Sequence, residues 1–215
     1  MKNKSSLMAD AWGALKQNKA ALFSFVTMSA MVVLVILGPL LSPFAIDQTD
    51  WYQLSAKPSF SSGHIFGTDD LGRDLFVRVM YGGRISLMVG LVATMVSVFI
   101  GVSYGAISGY FGGKTDAIMM RVVDVLYAMP FLFFVILLMV FFGRSILLIF
   151  IAIGAVNWLD IARIVRGQTL NIKGKEFVDA ARAGGVSNIK IVFKHIVPNL
   201  LGLVVVYVAL TVPQV

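Results

Sequence analysis

Three features of the chain predict an all-α polytopic membrane protein. Long apolar blocks free of charge alternate with polar segments. Charged residues are scarce, at 13% of 215 residues against 58% hydrophobic, whereas a soluble domain carries about 25% charged residues. Lysine and arginine are distributed unevenly between the segments that separate the blocks, as expected of loops sorted by the positive-inside rule. The composition also excludes several classes of chemistry. With no cysteine there are no disulfides, iron–sulfur clusters or thiolate zinc sites. His64 and His195 are too far apart in sequence to suggest an imidazole-rich metal site. The formal charge of +7 is explained by basic cytoplasmic loops without invoking nucleic acid.

Residues 1–19 are polar, with Lys2, Lys4, Lys16 and Lys19 against Asp10. Trp12 and Leu15 among them suit either a helix lying on the membrane surface or a polar tail. Residues 20–46 contain no charge and exceed the roughly 20 residues that span a bilayer core. The first span is placed at 20–43 and is too long for a cleaved signal. Residues 47–84 form a polar segment. Asp69 or Asp70 is the expected N-cap of a helix through Leu71–Tyr81. His64 with Asp69, Asp70 and Asp74 suits a solvated or capping role better than a metal site. The second span is placed at 85–110. Within it Gly101, Gly105 and Gly109 recur every fourth residue, a spacing that lets two membrane helices approach closely.

The stretch Ser108–Thr115, SGYFGGKT, is a near miss for a phosphate-binding loop. It has serine where the pattern needs glycine, and an apolar block where a strand should precede it. A glycine-rich turn is the simpler reading. The third span is placed at 122–142, with Pro130 expected to kink it or widen its first turns. A tight turn at Gly143 and Arg144 leads to the fourth, at 145–163. Asp160 lies near its end, and an ion pair with Arg163 is expected there. A fifth span is placed at 197–215.

Thirteen of the 18 Lys and Arg residues fall in segments 1–19, 114–124 and 163–195, and five in 47–84 and at 144. The bias puts the N-terminus and the segment 166–196 in the cytoplasm and 47–84 outside. The fifth apolar run reaches Val215 without a polar tail, so a sixth span is expected beyond it.

No persuasive catalytic constellation is present, neither H-E-x-x-H, G-x-S-x-G nor a complete phosphate-binding loop. The central thirds of the spans carry almost no charge, unlike an ion-coupled carrier. Glu176 to Asn199 form a polar interruption between two spans. Glu176, Asp179, Ala180 and Ala183 share one helical face. Both acids lie in the first turn, where the helix dipole favours them. Gly184 and Gly185 end the helix. These residues suit two readings equally: a helix gripped by a partner, or an amphipathic connector resting on lipid headgroups.

Asp179-Ala180-Ala181, Gly185 and Pro198 resemble the EAA loop of permease subunits in bacterial ATP-binding-cassette importers. Asp179 stands where the motif has glutamate, and His195 departs from its apolar pair before proline. The stretches at 66–74 (FGTDDLGRD), 81–87 (YGGRISL), 109–113 (GYFGG) and 121–124 (RVVD) are similar to the peptide-importing branch, as are Trp158 and Arg163–Arg166. The likeness covers nearly the whole chain from Trp12 and is nearest to C-type permeases of dipeptide and oligopeptide importers. It implies a type I importer transmembrane domain over 20–215, with five of six spans visible.

It further implies a second, homologous permease, two cytoplasmic ATPase subunits and a periplasmic or lipid-anchored binding protein. Residues 176–185 would then be the coupling helix, in a loop at 176–198, with no cofactor held by this chain. The subunit would not itself be an enzyme and would sit in the bacterial inner membrane. Three alternatives stand beside this: a permease of the same family for nickel or another small solute, an ion-coupled carrier or channel, and a membrane scaffold without a pathway.

Overall fold

The computed structural model describes residues 7–143 and 146–211. Its helices are α1 (Leu7–Gln17), α2 (Lys19–Leu41), α3 (Leu75–Phe111), α4 (Gly113–Tyr127), α5 (Phe131–Phe142), α6 (Ile146–Ile172), α7 (Glu176–Ala183), α8 (Asn188–Ile191) and α9 (Val197–Thr211). A π-helical turn, Val192–Ile196, joins α8 to α9. Among the described residues extended pairing is limited to two isolated bridges, Thr49 with Arg73 and Thr68 with Asp74. The chain forms two compact units, Met1–Leu87 and Met88–Val215. Three helices among the described residues are long and apolar enough to cross a membrane: Lys19–Leu41, Leu75–Phe111 and Asn188–Leu210.

In the first unit, α1 and α2 are separated by Asn18 alone, which caps α2 by accepting from the Ala21 N–H at 3.1 Å. The chain folds back there, and the Trp12 ring meets Phe25 edge-on at 6.0 Å. Residues 7–17 are thus helical, with Trp12 set against α2, and not a polar tail. Pro39 lies inside α2. It has no N–H to give the carbonyl four residues back, that of Val35. Arg84, from α3, supplies the missing donor: its Nε donates to the Val35 carbonyl at 3.0 Å and its Nη2 to that of Ile36.

Replacing Arg84 by methionine should therefore cost about 1–3 kcal/mol, the penalty of an unsatisfied polar group. Pro39→Ala, which restores a backbone donor, should recover part of it. Thermal unfolding in detergent of the two single variants and the double variant checks this; additive losses would contradict it.

The polar segment before α3 is held by its own backbone. Asp50 N–H donates to the Gly72 carbonyl and Asp69 N–H to that of Arg73. The expected N-cap is corrected here. The Asp69 carboxylate accepts from the N–H groups of Leu71 and Arg73, both at 2.9 Å, and from the Arg73 Nε at 2.8 Å. Gly72 has φ +71°, which no helix interior accommodates, so the helix starts after it. Asp74 is the cap, accepting from the Val77 N–H at 2.8 Å.

His64 is corrected too: it is buried rather than solvated, stacked on Phe44 with ring centroids 4.2 Å apart. Its Nδ1 lies 2.8 Å from the second oxygen of Asp74. Among the described residues no group of three His, Asp or Glu side chains is placed to hold a metal.

Helix α3 has 37 residues, about 55 Å at 1.5 Å per residue, and so begins well before residue 85. Pro130 divides the third apolar stretch instead of kinking it. Helix α4 ends at Tyr127, Pro130 is extended (φ −60°, ψ 126°), and α5 restarts at Phe131. A proline removes one ladder bond and pushes the preceding residue out of the helical region. Gly143 ends α5 with φ +84°; Arg144, the other half of the expected turn, lies outside the described residues.

The core of the second unit gathers Val102, Ala106 and Tyr110 of α3, Ile161 and Val165 of α6, and Val178 of α7. Ile191, Val192, Ile196, Leu200 and Val204 complete it from the chain's last helical run.

Candidate coupling site

An eight-residue helix is not stable alone, because nucleation consumes most of what so few hydrogen bonds return. Helix α7 has eight residues and is held by its surroundings. Val178 is fully buried in the second unit's core, with Ala181 and Val186 packed against the same cluster. Burying a valine side chain contributes about 1.5–3 kcal/mol.

The helix end is closed by a two-bond cap. The Gly185 N–H donates to the Arg182 carbonyl and the Val186 N–H to that of Ala181, both at 3.1 Å. This arrangement needs a left-handed residue after the cap, and Gly185 supplies it at φ +75°. Any side chain there would strain the backbone by about 1–2 kcal/mol.

The fold divides the sequence-predicted residues into two sets. Glu176, Asp179, Ala180 and Ala183 are exposed, as are Gly184 and Gly185. Ala181 is half-buried and turned toward the core. Pro198 stands apart, in the first turn of α9. A proline there would collide with the Lys194 carbonyl in a regular α-helix. The five-residue π turn before it widens the ladder, with the Val197 N–H reaching back to the Val192 carbonyl. Asn199 Nδ2 donates to the His195 carbonyl at 2.7 Å. The run His195–Asn199 is in this sense a device for continuing one helix past a proline.

Behind α7, α3 lies directly on α6. A Cβ built on Gly101 would stand 2.7 Å from Ile161 Cβ, one on Gly105 2.3 Å from the Ala162 carbonyl oxygen, and one on Gly109 2.8 Å from the Arg166 carbonyl oxygen. The three glycines meet α6 at successive turns, and the backbones are too close for any side chain. Next to this seam the Asp116 carboxylate takes two bonds from Arg166, both at 2.5 Å, and one from the Ser108 hydroxyl, also at 2.5 Å. Lys173 Nζ donates to the Gly109 carbonyl at 3.1 Å. The stretch resembling a phosphate-binding loop is thus the α3–α4 elbow, with Gly112 and Gly113 both at positive φ. Arg163 pairs with Asp124 at 2.8 Å and lies over the Tyr127 ring, not with Asp160, which is exposed. The arginine is drawn to α4 because a carboxylate and an aromatic face are offered together there.

The hydrogen bonds from Arg166 hold the Asp116 carboxyl below the usual carboxylate range, despite the opposing effect of partial burial. A carboxylate depressed in the fold stabilises it above the unfolded value, about 3.9, and that contribution is lost as pH falls through the folded value. Asp116→Asn should cost about 1.5–3 kcal/mol near neutral pH. Thermal unfolding in detergent should show the gap between variant and wild type closing below about pH 4; a gap constant with pH would contradict the assignment.

Three features of the site are not among the residues singled out from the sequence. Val178 anchors the helix, and its signal is an apolar residue opposite the acidic face. The π turn is signalled by Pro198 three residues past His195, inside a stretch that otherwise reads as helix. The third is the contact of α3 with the loop: the Tyr110 hydroxyl donates to Asn188 Oδ1 at 2.8 Å, and the Arg182 guanidinium lies 5.8 Å from the Tyr110 ring centroid. No local pattern announces it.

The family described as binding-protein-dependent transport system inner membrane component matches residues 98–215. That described as the N-terminal TM domain of oligopeptide transport permease C matches residues 6–58. The oligopeptide transport system permease protein OppC of Escherichia coli is 57% identical over 209 residues, covering 97% of this chain and 69% of the relative. The OppC protein of Haemophilus influenzae is 53% identical over 208 residues, covering 97% and 67%. The dipeptide transport system permease protein DppC of Bacillus subtilis is 43% identical over 208 residues, covering 97% and 64%.

Proposed function

This chain belongs to the binding-protein-dependent transport system inner membrane component family, and from that premise we propose that it is a permease subunit of an ATP-driven peptide importer. The observation that carries the mechanism is α7: a short helix with a small, acidic, exposed face (Glu176, Asp179, Ala180, Ala183), anchored by the buried Val178. The relatives are permeases for oligopeptides and dipeptides, which favours peptides over nickel or another small solute.

The subunit pairs with a second, homologous permease to line the pathway. Two ATPase subunits sit on the cytoplasmic side, where α7 docks, and a peptide-binding protein delivers substrate from outside. The N-terminus and residues 166–196 are cytoplasmic, and the spans follow the five apolar stretches. Closure of the ATPase pair on ATP draws the coupling helices together and favours the outward-open state; hydrolysis releases it. Binding energy that differs between two states is what drives such a cycle.

The test is reconstitution of the chain with its partner subunits and binding protein in proteoliposomes. Uptake of di-, tri-, tetra- and penta-alanine is measured with and without ATP. ATP-dependent uptake that requires the ATPase subunits is the expected result. Uptake by the permease alone, driven by an ion gradient, would overturn the reading.

A further inference from the structure

Tyr110 joins two elements that the importer reading requires to move together. It is buried, at 8% exposure, in the last turn of α3. Its hydroxyl donates to Asn188 Oδ1 at 2.8 Å, at the start of α8. Its ring lies beneath Arg182 at the end of α7, with 5.8 Å from guanidinium carbon to centroid. Arg182 is in turn held by Asp179 at 2.9 Å, on the exposed face. One residue before Tyr110, Gly109 begins the seam along which α3 touches α6 backbone to backbone. A continuous set of contacts therefore runs from an exposed acid on α7, through Arg182 and Tyr110, to α3.

We propose that Tyr110 is a positioning residue that transmits displacement of α7 to α3, and so couples the ATPase cycle to movement of the pathway. This rests on the reading of α7 as the docking helix. The ring alone would fill the space; the hydroxyl fixes where the α7–α8 turn sits relative to α3. Removing the hydroxyl should leave docking and hydrolysis in place and loosen their connection to transport.

The experiment uses the complete reconstituted transporter, with tri-alanine as probe and ATP hydrolysed per peptide imported as readout. Tyr110→Phe should keep assembly and hydrolysis near wild type while uptake falls about fivefold, the weight of roughly one net hydrogen bond. Asn188→Ala should give the same fall, and the double variant no further fall, because both remove one interaction. An unchanged ratio in Tyr110→Phe overturns the proposal, as does a double variant whose loss is the product of the two single losses. Loss of ATPase co-purification in Tyr110→Phe also overturns it, by showing a purely structural role. Failure of the wild-type transporter to import any alanine peptide with ATP would instead defeat the importer reading on which the proposal stands.

Discussion

Gly105→Ala is expected to be the most damaging single-methyl change along the seam of α3 with α6. The added Cβ would stand 2.3 Å from the Ala162 carbonyl oxygen and 3.0 Å from both the Arg166 nitrogen and Val165 Cβ. Two of these are backbone atoms of α6, which cannot turn aside as a flexible side chain would. Helices α3 and α6 must separate. Overpacking of this kind costs about 1–3 kcal/mol, occasionally more, and the seam carries other contacts with it. The Lys173–Gly109 bond runs from just past α6 to α3, and the Asp116–Arg166 pair ties α6 to α4 beside it.

Glycine to alanine in a helix is otherwise favourable by about 0.5–1 kcal/mol. Gly90, also in α3 but with nothing within 4 Å of its would-be Cβ, is the matched control. Thermal unfolding in detergent should show Gly90→Ala at or above wild type and Gly105→Ala well below it. Equal stabilities would mean that α3 and α6 do not meet as described.

What could be read from the sequence, and what could not, follows from the range of the interactions. The membrane class is a property of composition and needs no folding. The spacing of Gly101, Gly105 and Gly109 is visible as a period of four, but nothing in that spacing names α6 as the surface they touch. Asp69, Asp70 and Asp74 are equally good capping residues by type. The choice falls to Asp74 because Gly72 is bent into a left-handed turn by its contact with Asp50, 22 residues away by number. Arg163 has a sequence-local acid in Asp160 and takes a distant one in Asp124, since only the distant one comes with an aromatic face. Pro39 removes a ladder bond by its type, and nothing local shows that Arg84, far along the chain, occupies the carbonyl it frees. In each case the local signal is correct about residue chemistry and silent about the partner, which tertiary structure selects.

That distinction between local type and tertiary placement decides how the docking face should be tested. Ala180, Ala181 and Ala183 are equivalent by composition, but the fold exposes Ala180 and Ala183 and turns Ala181 inward beside Val178. An acid at Ala181 would meet the apolar core and destabilise the loop whether or not a partner binds there. Arginine at Ala183 has open solvent to occupy, is a good helix former, and lies in the last turn where a cation suits the dipole. Its effect on stability should stay within about 0.5 kcal/mol, as for most surface substitutions.

If the small face of α7 seats in a cleft of an ATPase subunit, however, the guanidinium and its stem have no room there. Ala183→Arg and Ala180→Arg are therefore expected to unfold like wild type while ATP-dependent peptide uptake and ATPase co-purification fall at least tenfold, a loss of about 1.4 kcal/mol or more in docking. Ala181→Asp should lower the melting temperature first. Uptake that survives arginine at both exposed positions would return α7 to the other reading its residues allow, a connector resting on lipid headgroups, because such a helix gains rather than loses from an added cation.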